Sequence, residues 1–328
     1  MTPRRTILRA TLAGIALASI APYLHGQTRP RRIGFLWERD QSDYADQLGA
    51  FKAGMRELGY TEGADYVIEH RSAQNDPARV PALVAELIAL KVELIAPSGT
   101  PSAVIAHDTT REIPILIMNV GDPVGSGLAA NLRRPGGNVT GLTSISVELY
   151  TKRLDLLRQV LPNMRRVGLL YNPDNGNDRL GLRQFESDCD KLKFKSAAAP
   201  VRKPEEIAVA FNTLKGGQAE GVIVSSSQAN SAWQKSIIEQ AAKHRLPAVY
   251  GPGLWAESGG LISYGPNLVD LCRRAAGYVD KIFRGAKPAE LPIQQPNKFD
   301  LAINLRTAKA LGVTIPQSIL VSADRVIK

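Results

Sequence analysis

The chain carries the same short strand twice. Arg32-Ile33-Gly34-Phe35-Leu36-Trp37 returns as Arg166-Val167-Gly168-Leu169-Leu170-Tyr171. Further segments repeat in the same order: 92–99 is matched by 220–227, Ile113-Pro114 by Leu246-Pro247 and, more loosely, 138–144 by 259–264. Between the matches, apolar runs of strand length alternate with amphipathic stretches of helical length. Continuous Ile/Val/Leu strands alternating with helices imply parallel sheets covered on both faces. The duplication therefore predicts an α/β protein made of two similar, doubly wound parallel-sheet lobes. Ligands bind such sheets beyond the carboxyl ends of their strands, so two lobes side by side predict a ligand cleft between them.

In the first lobe the periodicity predicts strands at 33–37, 65–70, 92–97, 113–120 and 138–142, with helices at 44–58, 77–90 and 101–107. The second lobe repeats the pattern with strands at 167–171, 195–201, 221–225, 248–250 and 260–264. Its helices are expected at 178–192, 204–214, 230–244 and, briefly, 254–257. A long helix follows each fifth strand, at 147–161 and 268–284. The proline-rich segment 285–297 reads as an extended connector, leading to a strand at 299–304, a helix at 305–311 and a tail over 316–327. If each fifth helix packs on the opposite lobe, the chain crosses near 144–147, 266–268 and 293–298. The expected division is then 27–145 plus 268–296 for lobe 1 and 146–267 plus 297–328 for lobe 2. A three-segment hinge favours rigid-body closure.

Length agrees with this division, because 328 residues accommodate two domains of ordinary size. The net charge is +10, but Arg4, Arg5 and Arg9 lie in a first segment that holds no Asp or Glu. The other basic residues are scattered, and no basic run is interleaved with aromatics, so no nucleic-acid partner is expected. Pro3-Arg4-Arg5-Thr6-Ile7-Leu8 is a twin-arginine pattern, followed by an apolar stretch over 10–21 and small residues near Gly26. We read 1–26 as an export signal of the Tat rather than the Sec type. Its apolar core is well short of the ~20 residues that span a bilayer. The mature chain is expected to be a soluble monomer in the periplasm. Cys189 and Cys272 fall on helices assigned to different lobes. A disulfide there would lock the cleft, so both are expected as free thiols.

Enzyme signatures are missing. The sequence has no Gly-x-Ser-x-Gly elbow, no P-loop, no His-Glu-x-x-His and no paired-cysteine metal spacing. The turn after Trp37 is Glu-Arg-Asp-Gln, not the glycine-rich turn of a dinucleotide site. No cofactor, metal or catalytic residue is assigned.

Binding residues are expected at the strand ends. Ser98 and Thr100 lie where a strand meets a helix, and the free N–H groups there can hold a carboxylate; simple N-capping is the other reading. Ser226, in Ser225-Ser226-Ser227, is the matching position in lobe 2, where an ordinary turn is the alternative. Asp122 can pair with a ligand ammonium or cap its own turn, and Asn119 precedes it. Trp37, Tyr171 and Tyr250 end three strands, and Asn172 and Trp255 follow closely; aromatics there can face a planar ligand group or only wall the cleft.

A family resemblance rests on several longer stretches. These are Gly121-Asp122-Pro123-Val124-Gly125-Ser126-Gly127-Leu128, Arg134-Pro135-Gly136-Gly137-Asn138-Val139-Thr140-Gly141 and Tyr171-Asn172-Pro173. Gly277-Tyr278-Val279-Asp280-Lys281-Ile282-Phe283-Arg284-Gly285-Ala286-Lys287-Pro288 and Asn304-Leu305-Arg306-Thr307-Ala308-Lys309-Ala310-Leu311-Gly312 complete the set, with Ile315-Pro316. Together they resemble the ABC-transporter substrate-binding proteins of the group that includes tryptophan- and tyrosine-binding members. The resemblance implies a periplasmic-binding-protein type I fold, a small molecule between the lobes, and delivery to a membrane permease. An amino-acid-like or aromatic carboxylate is the ligand favoured by the residues above. A periplasmic enzyme on a bilobal α/β frame, or a ligand sensor for a membrane receptor, stays open as an alternative.

Overall fold

The strands fall into two sheets with one shared winding order. A computed structural model describes residues 29–74 and 76–328, so the export signal read at 1–26 lies outside the described residues. Strands β1 (Arg31–Trp37), β2 (Tyr66–Ser72), β3 (Leu94–Pro97), β4 (Ile115–Val120) and β5 (Val139–Thr143) form the first sheet, in the order β2-β1-β3-β4-β5. All its pairings are parallel. The second sheet holds β6 (Arg166–Tyr171), β7 (Lys195–Pro200), β8 (Gly221–Val224), β9 (Ala248–Tyr250), β10 (Ile262–Pro266), β11 (Phe299–Asn304) and β12 (Arg325–Ile327). Its order is β12-β11-β10-β9-β8-β6-β7, and the five strands β6 to β10 repeat the first sheet's sequence of crossovers. The duplicated sequence is thus a duplicated topology.

Helices cover both faces of each sheet, which is why the strands are apolar throughout rather than alternating. Helix α1 (Ala45–Glu57) covers one face of the first sheet, and α2 (Val80–Ala89) and α3 (Thr100–Thr109) cover the other. On the second sheet, α4 (Leu149–Val160) and α5 (Gly176–Leu192) lie opposite α6 (Ile207–Gly216) and α8 (Gln234–Lys243), the latter preceded by the short α7 (Gln228–Ala232). Helix α9 (Leu268–Phe283) follows a strand of the second sheet, yet its Leu271, Ala275 and Val279 share a core with Phe51 and Met55 of α1. Helix α4 does the reverse, leaving the first sheet to pack against Val249 and Ile262 of the second. A fully buried side chain such as Phe51 contributes about 1.5–3 kcal/mol. The chain passes between the two cores at 144–148, at Asn267 and over 284–298.

Four local features depart from the sequence reading. Strand β11 runs antiparallel to β10, with Pro266 opposite Phe299. The chain reaches β11 from the first body, so it enters the second sheet at the end where β10 leaves it. The tail contains α11 (Gln317–Ser322) and strand β12, which follow the short helix α10 (Leu305–Leu311). The helix expected over 230–244 is divided at Trp233, and 254–257 is a run of turns bounded by Gly253 and Gly259. Cys189 on α5 and Cys272 on α9 are buried and free.

Candidate ligand site

The strand carboxyl ends of both sheets meet at a cavity of about 750 Å³. Arg39 and Tyr44 from the loop after β1, and Asn119 from β4, line it on one side. Ser226 and Gln228 after β8, and Trp255 after β9, line it on the other. Parallel winding carries the loops of both sheets to the same seam, so the duplicated topology itself builds the cavity.

Each body contributes one aromatic wall backed by a second ring. Tyr44 stacks on Trp37 with centroids 4.4 Å apart, and Trp37 stacks on Phe35 at 5.0 Å. Trp37 also donates from Nε1 to His70 Nδ1 at 3.2 Å. Trp255 stacks on Tyr250 at 4.6 Å and nearly parallel. Trp37 and Tyr250, expected at the ligand, are buried supports for Tyr44 and Trp255. Tyr250 is closed in by burial, which pushes its hydroxyl pKa far above normal.

The amino end of α3 already holds a carboxylate. Glu38 Oε1 accepts from Ser102 Oγ at 2.7 Å and more weakly from Ser102 N. Ser98 Oγ accepts from the Glu38 amide at 3.0 Å, and Thr100 Oγ1 accepts from the Gly121 amide. Burial raises the Glu38 pKa, an effect that the Ser102 hydrogen bonds partly offset. Both hydroxyl oxygens thereby accept from protein amides. The Ser98 carbonyl still faces the seam, where it accepts from Gln228 Nε2 at 3.0 Å.

A buried polar group joins the first turn of α5 to the end of β8. Asp178 Oδ2 accepts from Ser225 Oγ and from the Asn172 amide, while Asn230 Nδ2 donates to Ser225 Oγ at 2.8 Å. Burial pushes the Asp178 pKa up to about 6. Arg153, fully buried on α4, donates from Nε to the Tyr264 carbonyl at 3.1 Å. Burial lowers its pKa to about 10. Nearby the two bodies touch. A Cβ on Gly121 would fall 2.1 Å from Asn177 Oδ1 and 2.3 Å from Ser146 Oγ.

Of the residues singled out from sequence, Ser226, Asn119 and Trp255 line the cavity together. Ser226 Oγ is buried without a hydrogen-bond partner, which leaves it free for a ligand. Asp122 caps its own turn through Val124 N and Gly125 N. Asn172 Oδ1 accepts from Asp174 N, and Tyr171 packs against the core of the second body. Arg39, Tyr44 and Gln228 were not singled out. Their signal was positional: each lies within a few residues of the carboxyl end of a strand that faces the seam, Gln228 at the start of α7.

Two wound α/β bodies with a cavity between them have the fold of the type I periplasmic binding proteins. The chain belongs to the ABC transporter substrate binding protein family, whose model matches residues 40–327. It is a substrate-binding component and not an enzyme. A tyrosine-binding protein of Clostridioides difficile is 26% identical over 282 residues, covering 86% of this chain and 80% of that one. An ABC domain from Streptococcus pneumonia in complex with L-Trp aligns with a TM-score of 0.84 at 24% identity, over 91% of this chain and all (100%) of that one. A ligand-free, open substrate-binding protein with adhesive properties from Clostridium difficile aligns at 0.68 and 25% identity, over 91% and 99%.

Proposed function

We propose that this protein captures an amino-acid-like ligand with an aromatic or other planar side group and delivers it to the permease of an ABC importer. The observation that carries this reading is the seam cavity, with one aromatic wall and several polar groups from each body. The relatives named for tyrosine and solved with L-Trp support the ligand class. The moving bodies are 27–145 with 268–296 and 146–267 with 297–328, joined by three crossing segments. Ligand contacts on both bodies favour the closed form, since only differential affinity can shift a hinge equilibrium. Ser226, Asn119, Tyr44 and Trp255 contact the ligand, and Ser98 and Thr100 shape the site without holding its carboxylate. The protein works as a monomer in the periplasm after Tat export.

Mass spectrometry of small molecules released from the purified, denatured protein tests the reading. An amino acid or aromatic acid in stoichiometric amount supports it. A sugar, or the absence of stabilisation by any amino acid or aromatic acid in a thermal-shift screen, would refute it.

A further inference from the structure

The seam cavity contains a cation with an unspent, buried hydrogen-bond donor. The Arg39 side chain is only 19% exposed, and its Nε is buried with no hydrogen-bond partner. Asp43 Oδ2 stands 3.8 Å from Nε, too far for a hydrogen bond, and is itself 44% exposed. The guanidinium carbon lies 5.1 Å from the centre of the Tyr44 ring. Arg325, the other arginine of the lining, is paired with Glu257 at 2.8 Å. A buried guanidinium N–H with no acceptor is costly, whereas a carboxylate meets the guanidinium fork with two parallel hydrogen bonds.

We infer that Arg39 is the residue that anchors the carboxylate of a zwitterionic ligand, with Tyr44 beside it receiving the ligand's planar group. The amino end of α3, the other obvious anion site, is filled by Glu38. A ligand carboxylate placed there would meet a like charge. Four acids line the cavity (Asp43, Asp46, Asp300 and Asp324) against two arginines. That balance opposes a dianion and suits a ligand that carries an ammonium as well. Arg39 thereby selects for the carboxylate, and the acidic surroundings select for the amine.

This inference rests on the reading above, and its test separates the two. Calorimetric affinities for L-tyrosine and L-tryptophan, and for tyramine and tryptamine, which lack the carboxylate, are measured on the wild-type protein and on Arg39→Gln and Arg39→Lys. The wild-type protein is expected to bind the amino acids more tightly than the amines. Arg39→Gln should weaken amino-acid binding by about 10- to 100-fold, the worth of charge-assisted hydrogen bonds. Arg39→Lys should fall between, since an ammonium keeps the charge but lacks the fork. Amine binding and the unliganded melting temperature should not fall in Arg39→Gln, since that change removes a buried unpaired donor and a like charge from beside the ammonium. Amino-acid affinity unchanged in both variants, or amines bound as tightly as amino acids by the wild-type protein, overturns the role of Arg39 and leaves the binding function standing. A wild-type protein that binds none of the four overturns both.

Discussion

Gln228 Nε2 donates to the Ser98 carbonyl at 3.0 Å, a hydrogen bond from one body of the protein to the other. The same side chain accepts from Tyr44 Oη at 3.3 Å. One residue on the second body thus grips two positions on the first, at the edge of the cavity.

Gln228→Ala removes both contacts and leaves each sheet intact. A net hydrogen bond is worth about 0.5–1.5 kcal/mol, so ligand affinity should fall roughly 3- to 10-fold for each bond lost. Small-angle scattering of the unliganded variant should show a larger radius of gyration. If both measurements match the wild-type protein, Gln228 is not a closure contact.

Gly121 tests closure from the opposite direction. An added methyl would meet Asn177 Oδ1 at 2.1 Å and Ser146 Oγ at 2.3 Å, so Gly121→Ala should hold the bodies apart. Ligand affinity should drop by about tenfold or more, as for other overpacked contacts costing ~1–3 kcal/mol. The melting temperature should hardly move, since Gly121 lies outside both cores. Asn177→Ala in the same chain relieves one clash and should restore part of the affinity. Equal loss in the single and double variants would sink this account.

The fold was legible because its signals are local and repeated. Strand β1 and its copy β6 announce themselves by five consecutive apolar or glycine positions, and the crossovers fix the winding. Much of the site was hidden for a physical reason. Trp37 and Tyr250 have the right residue type at the right strand ends, but their rings turn inward against Phe35 and Gly260, and Tyr44 and Trp255 line the cavity in front of them. Whether an aromatic is a wall or the support behind a wall depends on the neighbouring loop, here the short 3-10 turn Gln41–Tyr44 that swings Tyr44 over Trp37. The carboxylate at α3 is similar: Ser98 and Thr100 look like a vacant anion site until the chain brings Glu38 onto it. The antiparallel β11 was equally unreadable, because direction in a sheet is set by where the chain re-enters it.

The two thiols give a direct check on packing. Cys189 and Cys272 are buried, and burial pushes both pKa values up to about 12. Neither thiol is expected to react with Ellman's reagent in the native protein at neutral pH, and both should titrate at once in denaturant. Rapid labelling without denaturant would mean that α5 or α9 is not seated as described.

Asp178 should leave a mark on the pH dependence of stability. Its folded pKa is pushed from 3.8 up to about 6 by burial, so the folded state holds the proton more tightly than the unfolded chain. Stability therefore rises as pH falls through about 6 toward 3.8, and is lost as pH rises back through that window. The full effect is on the order of 3 kcal/mol if nothing else compensates. Asp178→Asn has no proton to bind there and should lack this component. Urea midpoints of both proteins, taken from about pH 4.5 to 7.5, isolate it, because the remaining groups titrate alike in each. The wild-type protein should gain on the variant as pH falls. A difference that stays constant across the series would mean that Asp178 is ionised in the folded state at the lower pH, held so by the hydrogen bonds from Ser225 and the Asn172 amide with a smaller contribution from Arg153.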